Sequence, residues 1–213
     1  LKQIDSWKDL MFSEVKENLE DMQKKFQDIW TKLNKVNKKL VNTPEYAELK
    51  EQIQIVGNTI EALVSLNEPV YDDNHWKEIS ETLNVKEAAN VKSDGGMFKL
   101  KLLWDNKVHE YKTYLEDTLS LAQNQQKIKE SLNNIDEYWK TCEFKFIDHS
   151  SRKEIQILET VIFFEIKLVL EEHAGKIASF KSQSRNLTAE LVSRIKSKEQ
   201  QFQNILNCME LWY

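Results

Sequence analysis

The side chains that could do chemistry in this chain are few and scattered. A phosphate-cradling loop needs Gly-x-x-x-x-Gly-Lys-Ser/Thr after a strand, because backbone N–H groups must wrap the phosphates while the lysine meets their charge. The one Gly-Lys pair, Gly175-Lys176 in EEHAGKIAS, lacks the first glycine and lies between helical stretches. Gly95-Gly96 is followed by Met97 and reads as a turn. The four histidines, His75, His109, His149 and His173, are far apart, and none makes the His-Glu-x-x-His or Cys-x-x-Cys spacing of a zinc site. Glu171, Glu172 and His173 are consecutive on a helical stretch, where neighbours point in different directions, so they read as a solvated face. Cys142 has no paired histidine and reads as a buried structural thiol. The expectation is no catalytic constellation, no cofactor site and no metal site.

Composition narrows the class. The chain has 213 residues, 40% hydrophobic and 31% charged, with only 4 Gly and 2 Pro, which is enough apolar material for one or two cores. So few breakers argue against an all-β protein. A net charge of −5 and a pI near 5.6 leave no basic stripe for nucleic acid, nor for the acidic surface of a microtubule. Two cysteines, Cys142 and Cys208, make no disulfide framework and are expected as reduced cytosolic thiols. The longest apolar run, VIFF at 161–164, is far short of the ~18 residues that span a bilayer, and no signal peptide is expected. The chain opens at Leu1 and closes at Trp212-Tyr213 within a running helical pattern, so it reads as a piece of a larger protein.

Helical spacing dominates the order of elements. Trp7, Met11, Val15, Leu19, Met22, Phe26, Ile29, Leu33, Val36 and Leu40 follow a near-heptad stripe that predicts one helix over 7–40, roughly 50 Å at 1.5 Å per residue. Thr43 is placed to cap a second helix and Pro44 to take its first turn. That helix is striped by Tyr46, Leu49, Ile53, Val56, Ile60 and Leu63, and it stops before Pro69. The short connection predicts an antiparallel pair. Asp72-Asp73 caps a short helix carrying His75 and Trp76, and Asn90–Gly96 is the loosest stretch. A long helix is expected over Val108–Trp139, another near Glu159–Ser182, and a last from about Arg185, striped by Leu187, Leu191, Ile195, Phe202, Ile205, Met209 and Trp212.

The period changes once. Phe144 and Phe146, then Ile155 and Ile157, recur every second residue around Asp148–Ser151. They predict a β-hairpin, Glu143–Ile147 with Glu154–Leu158, whose aromatic face lies on the helices because a lone hairpin is marginal in water. Trp7, Trp30, Trp139 and Trp212 fall on or beside helical stripes as core, whereas Trp76 and Trp104 are placed to lock one bundle against the next. The fold class is all-α: elongated antiparallel helical bundles with one small hairpin. Its expected division is 1–68, a helical pair; 69–96, a short helix and loop; and 97–213, a bundle with the hairpin near 143–158.

Several ordered motifs resemble one family. LNEPVYDDNHWKEI, with Pro69, His75, Trp76 and Ile79, is similar to the Pro-x-x-x-x-x-His-Trp-x-x-Ile motif of dynein heavy chains, where the tail meets the linker. Phe98, Leu100, Leu103, His109, Tyr111, Leu115 and Glu116 resemble the block that follows it. Trp139, Glu143, Phe144 and Phe146 match Trp-x-x-x-Glu-Phe-x-Phe, and Glu165, Ile166, Leu170, Glu171, Glu172 and His173 match Asp-Glu-Ile-x-x-Leu-Leu-Asp-Asp-His. TPEYAELKEQI is similar to the segment that precedes the linker. The family's Thr-Gly-Thr turn is replaced by His149-Ser150-Ser151, and its Asp by Phe164, marks of a divergent member.

The resemblance implies the neck and first linker subdomain of a microtubule motor, a non-catalytic arm that carries the power stroke of an ATPase ring to the tail. It also implies as partners the rest of the heavy chain, its linker and ring, with other dynein chains at the neck. No nucleic acid, membrane or direct microtubule contact is expected, and the Glu-Phe-x-Phe strand leans toward axonemal members. A passive spectrin-like or coiled-coil scaffold is the alternative, against which the hairpin counts.

Overall fold

The computed structural model describes residues 2–35 and 41–212. Among them helices dominate, and the only sheet is one two-stranded antiparallel hairpin, as the all-α class requires. The chain packs as two compact units, Leu1–Gln123 and Asn124–Tyr213.

The first unit opens with α1 (Lys2–Lys8), a 3-10 turn at Phe12–Glu14, and α2 (Val15–Asn34). The single helix expected over 7–40 is therefore broken; Val36 and Leu40 lie outside the described residues. The break is made by long-range pairing. The Phe12 N–H donates to the Phe98 carbonyl at 2.8 Å, and Leu100 N–H donates to Leu10 at 2.9 Å. Met11, which the heptad stripe places inside, bridges Lys99 and turns outward, while Phe12 is buried instead.

Helix α3 (Pro44–Leu66) starts as the sequence dictates. Pro44 sits in its first turn, and Thr43 Oγ1 accepts from the Tyr46 N–H at 3.3 Å. It runs antiparallel to α2: the Tyr46 hydroxyl donates to the Leu33 carbonyl at 3.4 Å, and farther along Phe26 meets Gly57. A Cβ on Gly57 would stand 2.6 Å from Phe26 Cζ. The glycine's helix penalty of ~0.5–1 kcal/mol is offset by this close approach.

Then come α4 (Asp73–Thr82), a 3-10 turn at Lys86–Asn90, α5 (Val91–Asp94), and α6 (Lys101–Asp105). Gly95 and Gly96 both take left-handed backbone, at φ +72° and +78°, and end α5. A 3-10 turn at Val108–Tyr111 leads into α7 (Lys112–Thr141), so the long helix starts four residues later than its stripe suggests. Lys112 pairs with Glu61 and ties α7 to α3. Met22, Ile60, Leu63, Leu66, Trp76, Leu103 and Leu115 meet in one core.

The second unit is built from the rest of α7, β1 (Phe146–His149), β2 (Arg152–Leu158), α8 (Thr160–Ser182) and α9 (Ala189–Trp212). Arg185 lies in a 3-10 turn before α9, whose first turn is met by Thr188 Oγ1 accepting from Leu191 N–H at 3.3 Å. Ile128, Leu132 and Ile135 of α7 pack with Leu170 and Ile177 of α8 and with Leu191, Ile195 and Phe202 of α9. Asp136 of α7 pairs with both Arg194 and Lys198 of α9. Burial pushes its carboxyl up, yet the bonds to Lys198 and Arg194 outweigh this and hold it below the usual range.

The hairpin departs from expectation. Its strands are displaced, because Phe146 pairs with Leu158 and Ile147 with Ile157, with an irregularity between Asp148 and His149. Leu158 is fully buried, while Phe146 is 40% exposed and Ile155 is also exposed. The pairing puts Phe144, Phe146 and Leu158 on one face and Ile147, Ile155 and Ile157 on the other. The first face meets helix side chains, Phe144 and Phe146 lying edge-on to Trp212 at 6.2 and 5.5 Å. Trp212 is itself 45% exposed rather than core.

Candidate functional site: two joints of tryptophan and histidine

Of the residues singled out by motif, the structure gathers His75, Trp76 and Phe98 into one cluster and Trp139 and His173 into another, one in each unit. In the first, the Asp72 carboxylate accepts from the backbone N–H of Asn74 and of His75, both at 3.0 Å, and so caps α4. The His75 ring folds back, its Nδ1 2.8 Å from Asp72 Oδ1. This cap fixes the direction in which Trp76 enters the core. There Trp76 lies edge-on to Phe12 at 5.7 Å and to Tyr71 at 5.6 Å, and Phe12 stacks on Phe98 at 5.2 Å. Gly96 belongs to the same joint, since a Cβ there would sit 2.7 Å from Phe12 Cδ1. Trp76 thus works inside one unit. Burial pushes the Tyr71 hydroxyl well above the ordinary phenol range, helped by Glu68, and its oxygen has no hydrogen-bond partner among the described residues. Pro69 is exposed, its carbonyl accepting from Lys92 Nζ at 3.4 Å.

In the second cluster, Trp139 Nε1–H donates to His173 Nδ1 at 3.0 Å, joining α7 to α8. Phe202 of α9 closes the group, 5.6 Å from Trp139 and 6.2 Å from His173, with Tyr138 edge-on to His173 at 5.3 Å. Accepting at Nδ1 requires the neutral ring with its proton on Nε2. Burial, and then Lys176, hold the His173 pKa below that of a free imidazole. Three helices meet at this point, and the directional bond sets their rotation.

Glu143, Glu165, Glu172, Phe144 and Phe146 are not part of either joint. Glu143 and Glu165 are exposed, and Glu172 pairs with Lys176 at 2.6 Å along its own helix. Phe144 is half-buried beside Leu158 and Cys142, and Phe146 lies outside against Trp212. Burial pushes the Cys142 thiol up, so a thiolate nucleophile is disfavoured there. Among the described residues no three His, Cys, Asp or Glu converge as metal ligands, and no helix is long and apolar enough to cross a membrane. Each joint fixes how its helices meet.

Motif reading missed Phe12, Tyr71, Tyr138 and Phe202 as members of these joints. Tyr71 stands inside the same LNEPVYDDNHW stretch and Phe202 on the last helical stripe, so both carried a signal. Phe12 carried none, because its burial depends on backbone pairing with the distant segment near residue 98.

Comparison with known proteins agrees with these motifs. A family model described as "Dynein heavy chain, N-terminal region 2" matches residues 1–213. "Dynein heavy chain-like protein 2" of Plasmodium falciparum is 23% identical over 190 residues, covering 81% of this chain and 3% of that protein. "Dynein heavy chain, cytoplasmic" of Saccharomyces cerevisiae is 22% identical over 159 residues, 67% of this chain and 4% of the relative. "Dynein alpha chain, flagellar outer arm" of Chlamydomonas reinhardtii is 20% identical over 147 residues, 69% of this chain and 3% of the relative. The chain thus spans 3–4% of the length of these curated relatives.

Proposed function

The chain belongs to the dynein heavy chain family, with the N-terminal region matched along its whole length, and from that premise we propose that it is the neck and first part of the linker. Its work is to pass the displacement generated by an ATPase ring to the tail and cargo. On this reading 1–68 is the neck pair, 69–96 the connecting helix and loop, and 97–213 the first linker subdomain. Its partners are the remaining linker and ring of the heavy chain, with other dynein chains at the neck. It carries no cofactor of its own, and nucleotide and microtubule sites belong to other parts of the motor. A ciliary or flagellar axoneme is the proposed location, a reading supported by the flagellar relative, while the cytoplasmic relative supports the wider placement on the cytoskeleton.

The observation that carries the proposal is the use made of the family's motif residues. Buried His75, Trp76 and His173 and half-buried Trp139 serve as joints between helices, the place where a mechanical element must resist rotation. A lever needs stiffness and no chemistry. The test is a full-length motor with a Gly/Ser stretch of ~10 residues inserted between the exposed Glu68 and Pro69. Such a stretch has an r.m.s. span of roughly 17 Å, enough slack to absorb movement. Microtubule gliding by tail-anchored motors should slow markedly while ATP turnover holds. Gliding at the normal speed would reduce this segment to a tether, and loss of turnover would mean that it acts on the ring itself.

A further inference from the structure

We propose that the outward flank of α8, with the groove beside it on α9, is a docking surface for a partner protein's amphipathic helix edged with lysine or arginine. The inference concerns the second unit alone and does not rest on the lever reading. Between 161 and 170 every residue except Glu165 and Lys167 is apolar. One stripe, Phe163, Ile166, Leu170, His173 and Ile177, faces the core of its unit. Yet Val161, Phe164 and Leu168, spaced three and four apart, are 60%, 57% and 69% exposed. Large apolar residues in such a row form one ridge, and a helix apolar all round is ordinarily covered all round.

The groove adjoins that ridge. Leu170, Ile177, Phe202 and Leu206 form its floor and Ala174 and Ala178 its wall, enclosing about 240 Å³. That is below the ~300–1,000 Å³ of a small-molecule site, but it suits side chains inserted at i, i+3 or i+4, and i+7 by a docked helix. The two alanines let the partner's backbone come close.

Charge selects the occupant. Lys176 is engaged by Glu172 at 2.6 Å and Lys181 by Glu199 at 2.8 Å, while Lys167 lies over the Phe163 ring at 5.8 Å. Glu171, on the groove, and Glu165, on the other border of the ridge, have no ion-pair partner among the described residues. A second copy of this chain would set these carboxylates against their own kind, whereas a basic-edged helix answers them.

The 213-residue chain is titrated against a fluorescent peptide of about 18 residues, five helical turns, carrying a leucine stripe edged with lysine. A matched peptide edged with glutamate is the control. Binding is read by anisotropy, with helix content of each variant checked by circular dichroism. The lysine-edged peptide should saturate at micromolar concentrations and the glutamate-edged one should bind at least about tenfold more weakly. Leu168→Ser should weaken binding by about tenfold or more at unchanged helicity, and Glu171→Lys, a surface change with no core contact, should shift preference toward the glutamate-edged peptide.

Failure of the lysine-edged peptide to bind by ~200 µM would overturn the proposal, as would equal binding of the two peptides or indifference to both substitutions. So would a dimer in sedimentation equilibrium that Leu168→Ser dissociates, which would make the occupant a second copy. Protection of Leu168 from hydroxyl-radical labelling in a longer heavy-chain fragment without any partner would place the occupant in the same polypeptide, against the proposal.

Discussion

The two units solve one packing problem differently. In the first, short elements wrap an aromatic cluster until little of it meets water: Trp76 and Phe98 are each 4% exposed, and Phe12 lies between them. In the second, long helices share one core at Trp139, His173 and Phe202, while the hairpin and the outer side of α8 leave Phe146, Ile147, Ile155 and Leu168 in solvent. The first unit therefore holds its stability in side-chain packing that single substitutions can break. The second holds it in helix-to-helix contacts and ion pairs such as Asp136 with Arg194 and Lys198, and its margin is free for other contacts.

The comparison breaks most sharply at the two aromatic ends. Trp76→Ala removes a ring with two edge-on aromatic neighbours from a closed core, and should cost ~3–5 kcal/mol. Urea unfolding followed by circular dichroism should show the loss, and a midpoint within error of wild type would mean that the cluster is not the keystone described.

Next come the two adjacent glycines. Both have positive φ, so alanine at either is strained, at ~1–3 kcal/mol. Only Gly96 also faces Phe12, at 2.7 Å from a Cβ, whereas Gly95 has open space around it. Gly96→Ala should therefore be the costlier of the pair in the same assay. Equal losses would place the whole effect in backbone strain and none in the joint.

The acid response sharpens the contrast from the other side. His173 titrates lower in the folded protein than the ~6.5 of an unfolded imidazole. Below that pH the unfolded chain takes up a proton that the folded site refuses, so stability is fully present above about pH 6.5 and falls as the pH drops beneath it. Asp136, whose carboxyl is held below 3.8, acts only in stronger acid. His173→Gln, which can still accept from Trp139 but cannot titrate, should flatten the change in urea midpoint between ~pH 7.5 and 5.5. An identical slope in the variant would remove His173 from the account.

The smallest effect is expected at the hairpin. A fully buried phenylalanine contributes ~1.5–3 kcal/mol by transfer, and Phe146, 40% exposed with one ring contact, should yield about 1 kcal/mol or less on change to alanine. A larger loss would mean that this face is covered.

Much of the architecture was readable where the deciding forces are local. Thr43-Pro44 placed the start of α3 and Asp72 that of α4, and the helix expected near Glu159 begins within a residue of that position as α8. The break between α1 and α2 was not readable, since no Gly or Pro marks it and Trp7, Met11 and Val15 continue the heptad spacing across it. What ends the helix is hydrogen bonding to Phe98 and Leu100, far along the chain. Strand register was hidden for a related reason: the irregularity at Asp148 and His149 decides which hydrophobic residues share a face. Family motifs pointed to His75, Trp76, Trp139 and His173, but not to the bond from Trp139 to His173, which depends on helices meeting 34 residues apart in sequence. Periodicity alone also gave no hint that the boundary of the two compact units, between Gln123 and Asn124, falls inside α7.

The most direct measurement of the lever account is the displacement per power stroke in an optical trap, on full-length motors with and without the flexible insertion between Glu68 and Pro69. The account predicts a shortened displacement at undiminished ATP turnover, because slack at that point absorbs motion the ring still generates. A displacement equal to that of the unmodified motor would contradict it.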